Sequence, residues 1–157
     1  MDAIHLHLLA NHIPILGSFI GLCLLIAGLS FKSREVRIAA AAVLLFSGVG
    51  GFVTNKSGEE AEDKVEELPG VSDEVIHEHE EMAEKAMPFI IGTVLLSSVS
   101  LFAEIKRKKL ARPTALLLLL TALGTGAVSG YTGYLGGQIR HSELEGLSLP
   151  VRGAEEE

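Results

Sequence analysis

The chain has 157 residues, 48% of them hydrophobic and 21% charged, with a formal net charge of −7. That charge argues against a nucleic-acid partner. A positive mean hydropathy beside so many charges requires that the two be segregated along the chain, and segregation is what the sequence shows. Ala3–Phe31, Ile38–Asn55, Ala86–Ala103 and Pro113–Ile139 contain no Asp, Glu, Lys or Arg. The shortest run, as a helix, spans about 27 Å, close to the hydrocarbon thickness of a bilayer. The reading is an all-α integral membrane protein, an up-down-up-down four-helix bundle in a single domain covering 1–157. Its spans lie at about 5–31, 36–55, 86–105 and 112–139.

Span one opens with His5, His7 and His12 in two helical turns, ahead of a long run without charge. The residues before it carry no Lys or Arg, and the run is too long for a signal-peptide core, so it is expected to stay as a helix. Pro14 removes one backbone hydrogen bond and kinks or starts the helix there. His5 and His12 are seven apart and share a face, while His7 and Asn11 share a neighbouring one. Gly17 and Gly21 form a small-xxx-small pattern that lets another helix or a flat ligand come close. The one cysteine, Cys23, cannot make an intramolecular disulfide and says nothing of the redox compartment.

Span two ends in the small residues Ser47 to Gly51 and leads into an outer helical segment, 57–85; from Lys56 to Lys85 the chain has twelve acids against three lysines. Ser57 and Glu60 have the spacing of a capping box. Ala61, Val65 and Leu68 make a thin apolar stripe, stopped by Pro69 and Gly70, so short outer helices are expected between spans two and three. A second outer helix starts near Ser72 or Asp73 and runs into span three. His79 falls on its apolar face with Val75, Ile76, Met82, Ala83, Ala86 and Ile90, whereas His77 lies among Glu80, Glu81 and Glu84 and faces solvent.

Span four carries Gly126, Gly130, Gly133 and Gly137 along one face, followed by Arg140 and His141. Packing against a neighbouring helix is the more ordinary use of such a stripe; a groove for a flat ligand is the other. Tyr131 and Tyr134 suit the interfacial aromatic belt. The tail 142–157 is polar and acidic, and no internal repeat is evident. Eight of the thirteen basic residues lie between spans one and two (Lys32, Arg34, Arg37) or three and four (Lys106, Arg107, Lys108, Lys109, Arg112). These loops are expected to be cytoplasmic, with both termini outside.

That topology gathers histidines from spans one, three and four at the outer end, where an imidazole on an apolar face must find a partner. A hydrogen bond to a carboxylate is the plain solution. Haem ligation is the more informative one, because it needs two imidazoles on opposing helices, room for a flat ring and a cation such as Arg140 near the propionates. No Cys-x-x-Cys-His occurs, which excludes covalent attachment and leaves haem b. Axial pairs are expected from His7, His12, His79 and His141. A site for a zinc, iron or copper ion is the alternative, built from those histidines with Glu59 or Glu62. A third reading is an accessory subunit of a membrane complex whose histidines only cap the bundle. Whether the protein is an enzyme stays open at this point.

The stretches His7-Leu8-Leu9-Ala10-Asn11-His12-Ile13-Pro14-Ile15, Gly58-Glu59-Glu60-Ala61-Glu62, Leu68-Pro69-Gly70-Val71-Ser72, His79-Glu80-Glu81 and Gly136-Gly137-Gln138-Ile139-Arg140-His141 together resemble an uncharacterised family of small four-span bacterial membrane proteins, itself distantly similar to membrane b-type cytochromes. The resemblance implies His7, His12, His79 and His141 as motif histidines, with Glu59, Glu62 and Arg140 beside them. It implies electron transfer in the bacterial inner membrane, with the N- and C-termini on the periplasmic side. The expected partners are the lipid bilayer, a quinol or other membrane redox partner and a basic soluble electron carrier; a homo-oligomer is compatible with all of this. The histidine-free inner half argues against a second, inner haem.

Overall fold

The computed structural model describes residues 3–66 and 72–145, with Asp63 and residues 140–145 as backbone only. The described residues form five helices: α1 Ala3–Ala10, α2 His12–Ser30, α3 Arg34–Glu66, α4 Asp73–Ile105 and α5 Ala111–Glu145. The break between α1 and α2 follows from Pro14. Proline has no N–H to offer the carbonyl of Ala10, so the helix loosens one turn before it. Asn11 makes that turn, its N–H still reaching the carbonyl of His7 at 2.9 Å. The two short helices together make span one.

Four helical stretches are long and apolar enough to cross a membrane: Ala3–Ser30, Arg34–Glu62, Asp73–Ile105 and Ala111–Ile139. Their surface has the distribution expected in lipid. Leu9, Leu16, Phe46, Leu95 and Leu120 are exposed, while Ser18, Ser47, Thr93, Ser97, Ser100 and Thr125 are buried. Small hydroxyl residues inside let helices approach closely and give each other hydrogen bonds, as between Thr93 and Thr125 at 2.9 Å. Below them an apolar core of Leu25, Ala40, Ala41, Leu44, Ala115, Leu118 and Ala122 fills the half of the bundle near the interhelical loops. The chain is an all-α membrane bundle, as its hydropathy indicates.

Neighbours in sequence are neighbours in space. α2 packs on α3, α3 on α4, α4 on α5 and α5 back on α2, while α1 packs on α3. Spans one and three therefore face each other across the bundle axis. The loops Phe31–Ser33 and Lys106–Leu110 share one end, called here the loop end. The second residue of each is basic and in the left-handed region just past the helix cap, Lys32 at φ 55° and Arg107 at φ 51°.

The second outer helix starts at Asp73 and runs into span three as expected, but the first is not a separate short helix. α3 and α4, of 33 residues each, continue straight out of spans two and three. Ser57 is consequently not a cap. It is buried in mid-helix, and its hydroxyl donates to the carbonyl of Thr54 at 3.0 Å. The expected stop at Leu68, Pro69 and Gly70 and the tail beyond Glu145 lie outside the described residues.

A repeat invisible as residue identity emerges in the packing. Shifting span one by 72 residues, the distance from His7 to His79, carries buried Pro14, Ser18, Gly21, Leu25 and Gly28 onto Ala86, Ile90, Thr93, Ser97 and Ser100, all buried. Shifting span two by 78 residues, the distance from Thr54 to Thr132, carries buried Ala40, Leu44, Ser47, Gly48, Gly51 and Ser57 onto Leu118, Ala122, Thr125, Gly126, Ser129 and Leu135, again all buried. The two hairpins thus bury corresponding positions along much of their length.

Candidate functional site

At the end opposite the loops, the two hairpins each present one imidazole. His7, half-buried on α1, has Nδ1 3.0 Å from the carbonyl oxygen of Thr54 on α3. His79, half-buried on α4, has Nδ1 2.9 Å from the carbonyl oxygen of Thr132 on α5. A carbonyl only accepts, so Nδ1 carries a proton in both rings, and in the neutral form of each ring Nε2 is the free lone pair. That is the tautomer a metal-ligating histidine adopts, and a backbone carbonyl is one of its usual partners.

Each ring also needs room on a second side. One turn beyond each carbonyl stands a glycine, Gly58 after Thr54 and Gly136 after Thr132. A methyl group there would come within 3.0 Å of Cε1 of His7 or of His79. Both threonines bond back into their own helices, to Gly50 at 3.0 Å and to Val128 at 2.9 Å, which fixes the turns that carry the accepting carbonyls. The centroids of the two imidazoles lie 6.1 Å apart with their planes at 83°. Thr54 is twenty residues up α3 from its loop-end start, and Thr132 is twenty-one up α5. At 1.5 Å per residue both are about 30 Å from the loop end, one hydrocarbon thickness away.

The remaining sequence candidates are distributed differently. His12 is not brought to the His7–His79 pair: it is exposed, and its Nδ1 turns back onto the carbonyl of Leu8 in its own helix at 3.0 Å. The reason is helical register. Five residues beyond His7, His12 sits about 140° round the axis, on the side of exposed His5. His77 is exposed as expected, 3.7 Å from Glu80. Glu59 is exposed and accepts from Asn55 at 2.7 Å. Glu62 is half-buried and partnered. Arg140 and His141 continue α5, with side chains outside the described residues. Among the described residues no three His, Cys, Asp or Glu side chains lie close enough together to hold a metal ion.

The glycine stripe of α5 is mostly a packing surface. Gly126 and Gly130 lie against Phe19, and Gly133 against Ile15 at 2.6 Å from an added Cβ; Gly137 alone meets nothing within 4 Å. Gly17 and Gly21 are likewise filled, by Ser47 and Leu44. Tyr131 and Tyr134 are exposed and stacked, with centroids 6.1 Å apart, as belt residues would be.

Sequence reasoning missed Thr54, Gly58, Thr132 and Gly136. Their signal is present as Thr-x-x-x-Gly occurring twice at the 78-residue shift, each next to its histidine partner. It also gave no role to Asn11, whose Oδ1 is buried without a hydrogen-bond partner one helical turn from His7. Comparisons with models of known protein families, with curated proteins and with solved structures found no match.

Proposed function

We propose that the protein is a membrane b-type cytochrome whose single haem is held between His7 and His79. The observation that carries this reading is the pair itself: one imidazole from each hairpin, both in the ligating tautomer, 6.1 Å between centroids. A metal–imidazole bond of about 2 Å on each side, plus about 1.2 Å from nitrogen to ring centre, asks for about 6.4 Å. The orphaned Oδ1 of Asn11 beside them is consistent with a polar contact to a bound group.

Ligand count favours haem over a bare ion. A porphyrin brings four of iron's six ligands, so two imidazoles complete the shell, whereas a protein-held ion needs three or four side chains. Haem supplies one-electron redox chemistry when bound. The chain's contribution is to fix both rings through the carbonyls of Thr54 and Thr132, which also raises the basicity of each Nε2. Two imidazoles from His7 and His79 would leave a bound haem iron no open site, so the assignment is electron transfer rather than oxygen chemistry.

The basic residues at the loop end orient that end to the cytoplasm of a bacterial inner membrane, with the imidazole layer and both termini at the periplasmic face. A quinol or membrane redox partner would donate from the bilayer. A basic soluble carrier would meet the exposed acids on the extensions of α3 and α4, among them Glu59, Glu60, Glu74, Glu78 and Glu81. Oxidised and reduced optical spectra of protein purified in detergent, after expression with ample haem, test the reading. A low-spin Soret and α band supports it. Stoichiometric metal without porphyrin replaces it by an ion site that draws on His141, and neither leaves the accessory-subunit reading.

A further inference from the structure

Between the imidazole layer and the loop end, α4 turns a second set of polar groups inward. Thr93, Ser97, Ser100 and Glu104 follow at steps of four, three and four residues, within roughly 60° of one another round the helix. None is more than 2% exposed. Hydroxyls in a helix ordinarily bond to nearby backbone, and others in these spans do so. Ser18 donates to the carbonyl of Ile15 at 2.9 Å, Ser98 to that of Val94 at 2.8 Å and Thr121 to that of Leu118 at 3.1 Å, while Ser47 reaches across to Pro14 at 3.2 Å. Ser97 and Ser100 do not. Their Oγ atoms are sealed from the surface and have no hydrogen-bond partner among the described residues.

A buried hydroxyl left unpaired bears the full cost of its lost hydration, and such polar interior sites are where proteins hold internal water. The spacing suits that ligand. At about 1.5 Å per residue the three steps advance about 6.0, 4.5 and 6.0 Å along the helix. One water joined to two polar groups by hydrogen bonds of about 2.8 Å each spans about 5.6 Å. Each gap is thus close to one water wide. Both ends of the row can close a chain. In the Thr93–Thr125 pair one hydroxyl donates and the other keeps its own hydrogen. At Glu104 each carboxylate oxygen takes one bond from Arg37 and has a further lone pair.

We propose that Ser97 and Ser100 bind internal water in one hydrogen-bonded chain running from the Arg37–Glu104 pair to the Thr93–Thr125 pair. The chemistry favours water over a metal cation, because the carboxylate in the row is already neutralised by a guanidinium and the hydroxyls bring no charge. Since each link both accepts and donates, the chain also offers a proton a route from the loop end to the middle of the bundle. It stops there: the next buried positions of the same stripe, Ile90 and Ala86, are apolar. The inference stands whether or not His7 and His79 hold a haem.

Infrared spectroscopy of single-thiol variants tests it. In the full chain carrying Cys23→Ser, in detergent, Ser97→Cys and Ser100→Cys each place an S–H in the row, and Ala41→Cys places one in the apolar core. On transfer to heavy water the first two S–H bands are expected to convert to S–D about tenfold faster than the third, or more, and to lie at the lower frequency of hydrogen-bonded thiols. Thermal melts of Ser97→Ala and Ser100→Ala give a readout that introduces no thiol. A hydroxyl that holds water contributes through it, so each alanine is expected to lower the midpoint by about 2–4 °C. A dry, unpaired hydroxyl would act with the opposite sign, because removing it relieves a buried orphan. Exchange no faster than in Ala41→Cys, or alanine variants more stable than the parent, overturns the water chain.

Discussion

Arg37 and Glu104 form a two-pronged ion pair inside the loop end of the bundle, with the carboxylate side chain only 2% exposed. Arg37 also reaches the carbonyl of Gly28, and Arg34 donates to the carbonyls of Glu104 and Ile105 at 2.9 and 3.3 Å. Spans one, two and three are thus tied at one point. Removing one partner leaves a buried charge uncompensated, which typically costs about 3–5 kcal/mol. Arg37→Met and Glu104→Gln are each expected to lower thermal stability in detergent by that order. The apolar double variant Arg37→Leu/Glu104→Leu is expected to recover most of the loss. Unfolding midpoints followed by circular dichroism check this, and a double variant less stable than either single one contradicts it.

The histidines separate into two classes. His7→Ala and His79→Ala are expected to remove low-spin haem, each by more than the roughly 10–100-fold that loss of a supporting contact usually costs in affinity. His12→Ala and His5→Ala, on the exposed side of the same helix, are expected to retain it. Haem content per protein, measured after denaturation in alkaline pyridine, reads the difference. Loss of haem in His12→Ala with retention in His7→Ala would reverse the assignment.

Glycines of the spans are not equivalent either. A methyl group at Gly28 would stand 2.9 Å from the backbone nitrogen and 2.7 Å from Cγ of Arg37, and backbone cannot step aside cheaply. Gly28→Ala is expected to cost about 1–3 kcal/mol as an overpacked contact. Gly137→Ala meets open space and is expected to be neutral or stabilising, by up to about 1 kcal/mol from helix propensity. Paired thermal melts of the two variants in one detergent decide it.

Orientation is open to labelling. With exposed Cys23 replaced by serine, a cysteine at Ser72 is expected to react with a membrane-impermeant maleimide in intact cells. A cysteine at Lys109 is expected to react only after permeabilisation. The opposite pattern places the imidazole layer in the cytoplasm.

Much of the architecture was legible because lipid imposes it: charge-free runs of sufficient length can only be spans, and short loops between them force antiparallel neighbours. His79 was also legible, since its apolar face is continuous with span three. His7 and His12 were harder. Telling them apart needs the register at which α1 meets α3, and the loosened turn at Asn11 hides that register from simple periodicity. Ser57 misled because the Ser-Gly-Glu-Glu spacing of a cap is also ordinary helix interior once buried neighbours surround it. Glu104 escaped notice at the very edge of an apolar run, where a carboxylate reads as loop unless its partner, Arg37 in the first turn of α3, is known. The repeat was hidden because what recurs is which positions are buried, while the residues filling them differ.

The two hairpins bury corresponding positions, and the chain ends of both lie at the end of the bundle opposite the loops. Ala3, Glu66, Ser72 and Glu145 all emerge at the same end of the bundle. A circularly permuted chain that starts at Ser72 and joins Glu145 to Ala3 through a flexible connector keeps every interhelical contact described above. The only covalent link moved is the one between the two halves.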